Sequence, residues 1–251
     1  MSATAHGTAQ DSAHGTAQDP AGSSARGRGR VGRPRAQGPA ADGLTPSEGV
    51  LAAAAELFTR HGYAATTTRA IAERAGLRQA SMYHYFAGKE DILATLLAGT
   101  VQPSLDLALV LVARAEPSPE ARLWALCRAD VALLCAGPHN LGALYLLPEV
   151  GADRFAAFHQ ARTALKAAYR ELLADTAAGA ALPSAALELR ADLLFGLIEG
   201  VILIRRQNAD TPAEELADAA ADAALRLSGA ARRVAADAAR QGAVLLGTLR
   251  S

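Results

Sequence analysis

Residues 66–89, TTTRAIAERAGLRQASMYHYFAGK, decide how the rest of this 251-residue chain is read. The spacing predicts a short helix from about Thr68 to Ala75, with Ile71, Ala72 and Ala75 turned inward and Thr67 or Thr68 as its cap. Gly76 stops that helix and Leu77 packs the turn. A second short helix, from about Gln79 to Phe86, buries Met82 and Phe86 on the side away from Gln79 and Tyr83. Gly88 then breaks the chain before Lys89-Glu90-Asp91, whose two acids suit the positive end of a further helix. A helix, a glycine turn and a second helix with polar side chains at its front have the form of a DNA-reading helix-turn-helix.

Just upstream, Leu44-Thr45-Pro46-Ser47-Glu48 is a helix start. Thr45 is the N-cap, Pro46 fits the first helical position and Glu48 completes a capping box. Val50, Leu51, Ala54, Leu57 and Phe58 recur at helical spacing until His61-Gly62, so the first helix covers about 46 to 61.

With these residues in view, Pro46 to Leu97 resembles the DNA-binding domain of the TetR family of one-component transcriptional regulators. The likeness is carried by Gly62-Tyr63, Thr66-Thr67, Ile71-Ala72, Ala75-Gly76, Tyr83 to Phe86 and Lys89 to Leu93, matched without a gap. It implies an all-α fold, with an N-terminal three-helix DNA-binding domain and a C-terminal helical bundle for ligand binding and dimerisation. It also implies a homodimer on a palindromic double-stranded DNA operator, with a small-molecule effector.

The chemistry of each exposed side chain then assigns it a role. Gln79, at the front of the recognition helix, carries a carboxamide that bonds adenine bidentately. Arg69 matches a family position that reaches guanine or phosphate. Arg78 stands where the family more often has a small polar cap residue, a departure that adds a cation beside the phosphates. Thr67, Ser81, Tyr83, Tyr85 and Lys89 read as phosphate anchors, with Thr68 on the same surface. His84 suits a thymine methyl or a phosphate, and Ala80 offers only apolar contact with a thymine methyl.

The first forty or so residues are too poor in large apolar side chains to build a core and are expected to be disordered. They contain AHGTAQD twice, at Ala5 to Asp11 and Ala13 to Asp19. Five arginines without an acid follow: Arg26, Arg28, Arg30, Arg33 and Arg35. Gly32 to Arg35 resembles the core of an AT-hook, which inserts arginines into a narrow minor groove; a basic solvated linker is the other reading. The formal net charge of zero hides this segregation.

After Leu93, apolar helical stretches alternate with Pro and Gly, as in a bundle. Their expected extents are 98–228 for the regulatory and dimerisation domain, after an arm of 1–43 and a DNA-binding domain of 44–97. A C-terminal extension, possible helix, covers 229–251. The stretch from about Ser184 to Gln207 is apolar nearly all round, which leaves a face in need of a partner. Leu193, Leu194, Leu197, Ile198, Val201 and Ile202 are the expected dimer contacts, and Gly196 and Gly200 allow close helix approach.

The scarce aromatics and polar residues of the second half nominate an effector pocket. They are Trp124, Cys127, Arg128, Tyr145, Phe155, Phe158, His159, Arg162 and Tyr169, with His139, Asn140 and Glu199 as further polar contacts. No Gly-rich phosphate loop, nucleophile elbow, metal-spaced His and carboxylate pair or zinc spacing of Cys127 and Cys135 is present, so neither an enzyme nor a cofactor is expected. No signal-peptide pattern and no unbroken apolar run of spanning length are seen, which places the chain in the cytoplasm. Two rivals stay open, a constitutive or architectural DNA binder without effector and a helical enzyme or scaffold.

Overall fold

The computed structural model describes residues 43–249, and in these every regular element is helical. The basic arm and its AT-hook-like core lie outside the described residues. The chain runs through α1 (Pro46–His61), α2 (Thr68–Arg74), α3 (Gln79–Met82), α4 (Lys89–Gly99), α5 (Gln102–Val112) and α6 (Pro119–Leu134). After 3-10 turns at Leu141–Leu146, Pro148–Gly151 and Asp153–Phe155 come α7 (Ala156–Asp175), α8 (Ala177–Ala180), α9 (Ser184–Gln207), α10 (Ala213–Ser228) and α11 (Arg232–Leu249).

Local chemistry sets the ends. At α1 the Thr45 hydroxyl accepts from Glu48 N at 3.3 Å, while the Glu48 carboxylate accepts from Thr45 N at 2.8 Å. At the other end Gly62 leaves the helix at φ +85°. The sequence placed one helix over 79–86. Here α3 closes at Met82, and the next residues stay wound through Tyr85 N→Met82 O and Phe86 N→Met82 O bonds of 3.0 and 3.1 Å. Residues 141–146 form a 3-10 turn that packs close to α9: a Cβ on Gly142 would lie 2.5 Å from Ile202 Cγ1.

The centre of the larger body is α6. It is surrounded by α5, α7, α9, α10 and α11, so apolar and polar side chains alike are buried along it. Among its buried polar groups, Glu120 accepts from Ala177 N at 3.1 Å, and Arg122 donates to Leu111 O at 3.1 Å. The C-terminal extension forms α11, which docks on α6 through Gly242. A Cβ there would lie 2.6 Å from Trp124 Cε3 and 2.9 Å from Ala121 O.

Residues 89–112 have the length and mean apolarity of a membrane span, although Gln102, Pro103 and Asp106 interrupt the apolar run. They form two helices, however, broken at Thr100 and Val101, and Ile92, Leu93, Leu97, Leu105 and Leu111 are buried in the protein.

Candidate nucleic-acid interface and effector cavity

The turn between α2 and α3 is closed by backbone geometry. Gly76 takes φ +70°, Gly76 N bonds Glu73 O at 3.1 Å, and Leu77 N reaches back to Ala72 O at 2.8 Å, the Schellman pattern. A side chain at Gly76 would be strained, so the angle between the two helices depends on this glycine. Ile71, Ala72 and Met82 are buried beneath.

On the exposed face, Gln79 Nε2 donates to Thr68 Oγ1 at 3.0 Å and lies 3.4 Å from the Tyr83 hydroxyl, which is itself 3.3 Å from Thr68 Oγ1. This small network joins α2 to α3 and fixes the carboxamide at the front of the recognition helix. Thr67 caps α2 by accepting from Ala70 N at 3.1 Å. Arg69, Arg78, Ala80, His84 and Tyr85 are exposed on the same unit and Ser81 is half-buried. Arg69 is held by Glu73 at 2.8 Å, whereas Arg78 sits at the α3 N-cap position without a side-chain cap bond.

Lys89 departs from its expected role. Its ammonium donates to Tyr63 O at 2.8 Å and Thr66 O at 3.0 Å and lies 4.2 Å from the centroid of the Tyr63 ring. Those contacts engage the charge within the protein, so in the DNA-free protein Lys89 serves as a clamp from α4 onto the α1–α2 loop. The next residue, Glu90, pairs with Arg154 at 3.3 Å and ties the head of α4 to the turn before α7.

Of the nine nominated effector residues, four meet. Tyr145, Phe158, His159 and Arg162 line a cavity of about 360 Å³ with Leu146, Gly196, Glu199, Gly200, Ile202 and Leu203. The other five do not reach it. Trp124 donates from Nε1 to Asp222 at 2.9 Å and packs on Gly242; Arg128 is paired with Glu214 and Asp218. Cys127 and Phe155 are buried core, and the Tyr169 hydroxyl is spent on Asp130 at 2.9 Å. A larger groove of about 520 Å³ lies elsewhere, between Pro117 and α11, and none of the nominated residues lines it.

Behind the cavity lies a carboxylate that sequence reasoning missed. Asp130 on α6 accepts from Ser104 Oγ at 2.8 Å and from Tyr169, and burial, with Glu199 nearby, lifts its pKa to about 6. The one signal available was an acid set among the apolar residues Leu126, Cys127, Val131 and Leu134 of α6. Arg162 makes a two-pronged pair with Glu199 and lies 5.3 Å from the centroid of the Phe195 ring. Two further pairs, Lys166–Asp192 and Arg170–Glu188, extend this seam between α7 and α9.

The expected dimer contacts divide. Leu194, Ile198, Val201 and Ile202 are buried within the protomer, Leu197 is half-buried, and Leu193 is exposed. The large apolar residues left outward on α9 are Leu189 at 61%, Leu193 at 53%, Leu203 at 50% and Ile204 at 43% exposure, of which the three leucines share one side of the helix. With Gly196 and Gly200, where a Cβ would meet nothing within 4 Å, these leucines form a stripe at spacings of four and three residues. That is the seam spacing of paired helices. Leu189 and Leu203 were missed because a helix apolar on all sides does not announce which side is spare. The neighbouring α10 turns its apolar face to α6 and α9, and its Glu214, Asp218 and Asp222 pair with Arg128 and Trp124 of α6.

The end of α9 also holds the loop that meets the DNA-binding unit. Arg205 donates to Leu134 O at 3.3 Å, to His139 O at 3.4 Å and to Gly137 O, and Asn140 donates to Ile202 O at 2.9 Å. The loop so held places His139 beside Gly49, Ala53 and Arg74 of α1 and α2.

A helix-turn-helix presented at the surface, clamped through one helix to a bundle with a cavity and a spare apolar stripe, is the layout of a one-component DNA-binding regulator. The comparisons agree. Residues 50–96 match the family described as bacterial regulatory proteins, tetR family. The solved structure of AmtR from Mycobacterium smegmatis is 46% identical, with 84% of this chain and 98% of that chain covered and a TM-score of 0.75. The chain belongs to the TetR family of bacterial regulators. MbdR from Azoarcus sp. CIB shares the fold at 25% identity and a TM-score of 0.61, over 74% of this chain and all of that one. The HTH-type transcriptional repressor KstR2 of Mycobacterium tuberculosis is 46% identical over 50 residues, which are 20% of this chain and 25% of that protein. The chain thus matches only about a quarter of that repressor's length.

Proposed function

We propose that two copies of this chain bind a two-fold symmetric operator in the cytoplasm and repress transcription, and that a small molecule in the Tyr145–Glu199 cavity releases the DNA. The observation that carries the DNA reading is the Gln79–Thr68–Tyr83 network, which holds a base-reading carboxamide exposed on a rigid helix pair. Arg69 reads guanine or phosphate once freed from Glu73, and Thr67, Arg78, Ser81, His84 and Tyr85 position the backbone. Pairing of the α9 stripes supplies the symmetry, setting two recognition helices about 34–36 Å apart, one turn of DNA.

The effector reading is supported by where the cavity lies. Phe158, His159 and Arg162 are on α7, whose leading turn carries Arg154 against Glu90, and Glu199 and Ile202 are on α9, whose end holds the loop beside α1. A ligand that prefers another spacing of α7 and α9 shifts both links to the DNA-binding unit, through its differential affinity for two states. The test begins with selection of bound sites from the source genome, followed by fluorescence anisotropy on the selected operator. Gln79→Ala and Arg69→Ala should each abolish sequence preference while the dimer survives in sedimentation. Retention of the same preference in both variants would sink the base-reading assignment. A protein that is never released by any compound in a thermal-shift and anisotropy screen would be a constitutive binder.

A further inference from the structure

The effector cavity has a second chamber. Beyond the outer volume of about 360 Å³ lies a space of about 10 Å³ bounded by Thr100, Asp130, Phe195 and the same Tyr145, Arg162 and Glu199 that line the outer chamber. Those three side chains line both spaces. The inner space is about the size of one water or one ammonium group, and the outer one lies at the small end of the range for ligand sites. The shape therefore suits a molecule with a compact head and an apolar body.

The charges select the head. Asp130 is 3% exposed, its two oxygens are held by the neutral hydroxyls of Ser104 and Tyr169, and among the described residues it has no ion-pair partner. Glu199 brings a second carboxylate, and against these two stands one guanidinium, that of Arg162. A carboxylate head would add a third negative charge where water is already excluded, and an alcohol would leave the excess uncompensated. Arg162 itself shows what fits, because it is a cation lying between a carboxylate and the Phe195 ring. Its side chain is 40% exposed, so it can swing into water, whereas Asp130 cannot leave. With a pKa of about 6, Asp130 carries its charge at neutral pH.

We propose that the effector is a protonated organic amine, its ammonium head between Asp130 and Glu199 and its apolar body in the outer chamber against Phe158 and Leu203. On binding, the ammonium takes over the Glu199 carboxylate from Arg162, which parts a link between α7 and α9. The proposal rests on the effector reading above and adds the chemical class.

The test uses the full chain as a dimer and three matched probes: 2-phenylethylamine, 2-phenylethanol and 3-phenylpropanoate. Calorimetric titration and operator release are read in parallel. The amine should bind at least about tenfold more tightly than either partner, as expected when a charge-assisted hydrogen bond is at stake. Glu199→Gln and Asp130→Asn should each weaken the amine about tenfold or more, and Glu199→Asp, which keeps the charge, should restore part of the response. The ligand-free Tm of each variant controls for folding. Tighter binding of the acid, or equal binding of all three, overturns the amine class and leaves the effector reading standing. If none of the three binds, the amine proposal falls, and a broad screen of neutral and anionic compounds for operator release then decides the effector reading on its own. Unchanged amine affinity in Glu199→Gln and Asp130→Asn would place the head elsewhere and also refute the site.

Discussion

Replacing Asp130 with Asn isolates the cost of keeping a charge on α6. Burial lifts the carboxyl pKa from its ordinary 3.8 to about 6, even with Ser104 and Tyr169 donating to it. The native protein therefore holds this proton to a higher pH than the unfolded chain does, and ionisation opposes folding. The cost is absent below about pH 4 and complete above about pH 6, and at about 1.4 kcal/mol per pH unit that gap is about 3 kcal/mol. Asn has nearly the same shape, carries no charge, and can accept from one hydroxyl while donating to the other. Asp130→Asn should thus be more stable than the parent at pH 8 by up to about 3 kcal/mol, with roughly half of the gain left at pH 5. For a folded body of this size that is a rise in Tm of roughly 6–12 °C at pH 8. Circular dichroism melts at pH 8, 6.5 and 5, at one protein concentration, measure it. A variant less stable than the parent at pH 8 would mean that the ionised carboxylate helps the fold, and a gain independent of pH would mean that charge is not its origin. Either result refutes the reasoning. A stabilised variant that also loses the amine would show a charge kept for a ligand at the expense of stability.

Lys89→Ala should lower stability by roughly 1–3 kcal/mol, since it strips the Tyr63 and Thr66 carbonyls of a donor. It should leave the slope of log operator affinity against log salt unchanged, whereas Arg78→Ala should reduce that slope by about one; a reduced slope for Lys89→Ala would restore it as a phosphate anchor. Leu193→Glu, in the exposed α9 stripe, should give a folded monomer in sedimentation. Leu194→Ala, one residue on, should leave the dimer in place but cost roughly 2–5 kcal/mol of stability as a core cavity. Gly242→Ala should destabilise by roughly 1–3 kcal/mol, because its Cβ meets Trp124 and backbone on α6; a neutral result in thermal melts would mean that α11 is loosely docked. Deleting residues 1–43 should weaken operator binding and flatten its salt dependence with little change in preferred sequence, and an unchanged slope would remove the arm arginines from the interface.

What the sequence made legible was what local chemistry settles. The ends of α1, the stop at Gly76 and the extent of α9 follow from caps, glycines and helical spacing, and all were readable before any coordinates. What it left hidden was how each amphiphilic group is spent, since that depends on neighbours distant in the chain. Lys89 carries a cation at a helix start, the right chemistry for phosphate, yet the Tyr63 and Thr66 carbonyls, 26 and 23 residues earlier, consume it. Trp124 and Tyr169 are the aromatics that a pocket would want, but Asp222 and Asp130, 98 and 39 residues away, take their polar tips. The same blindness hid the spare side of α9, where Leu193 and Leu194 are indistinguishable in type and opposite in fate. Only the glycines offered a clue. Gly196 and Gly200 have open space where a side chain would stand, so intrachain packing gives no reason for glycine there, and both lie on the stripe with Leu189, Leu193 and Leu203. They also line the effector cavity, as Leu203 does. In the proposed dimer a second α9 laid along that stripe would close the mouth of the cavity, so that ligand occupancy and subunit geometry would be two readings of one surface. Gly200→Leu should disturb both together: a variant that loses dimer stability but keeps the parent's affinity for the amine would separate the two and break this link.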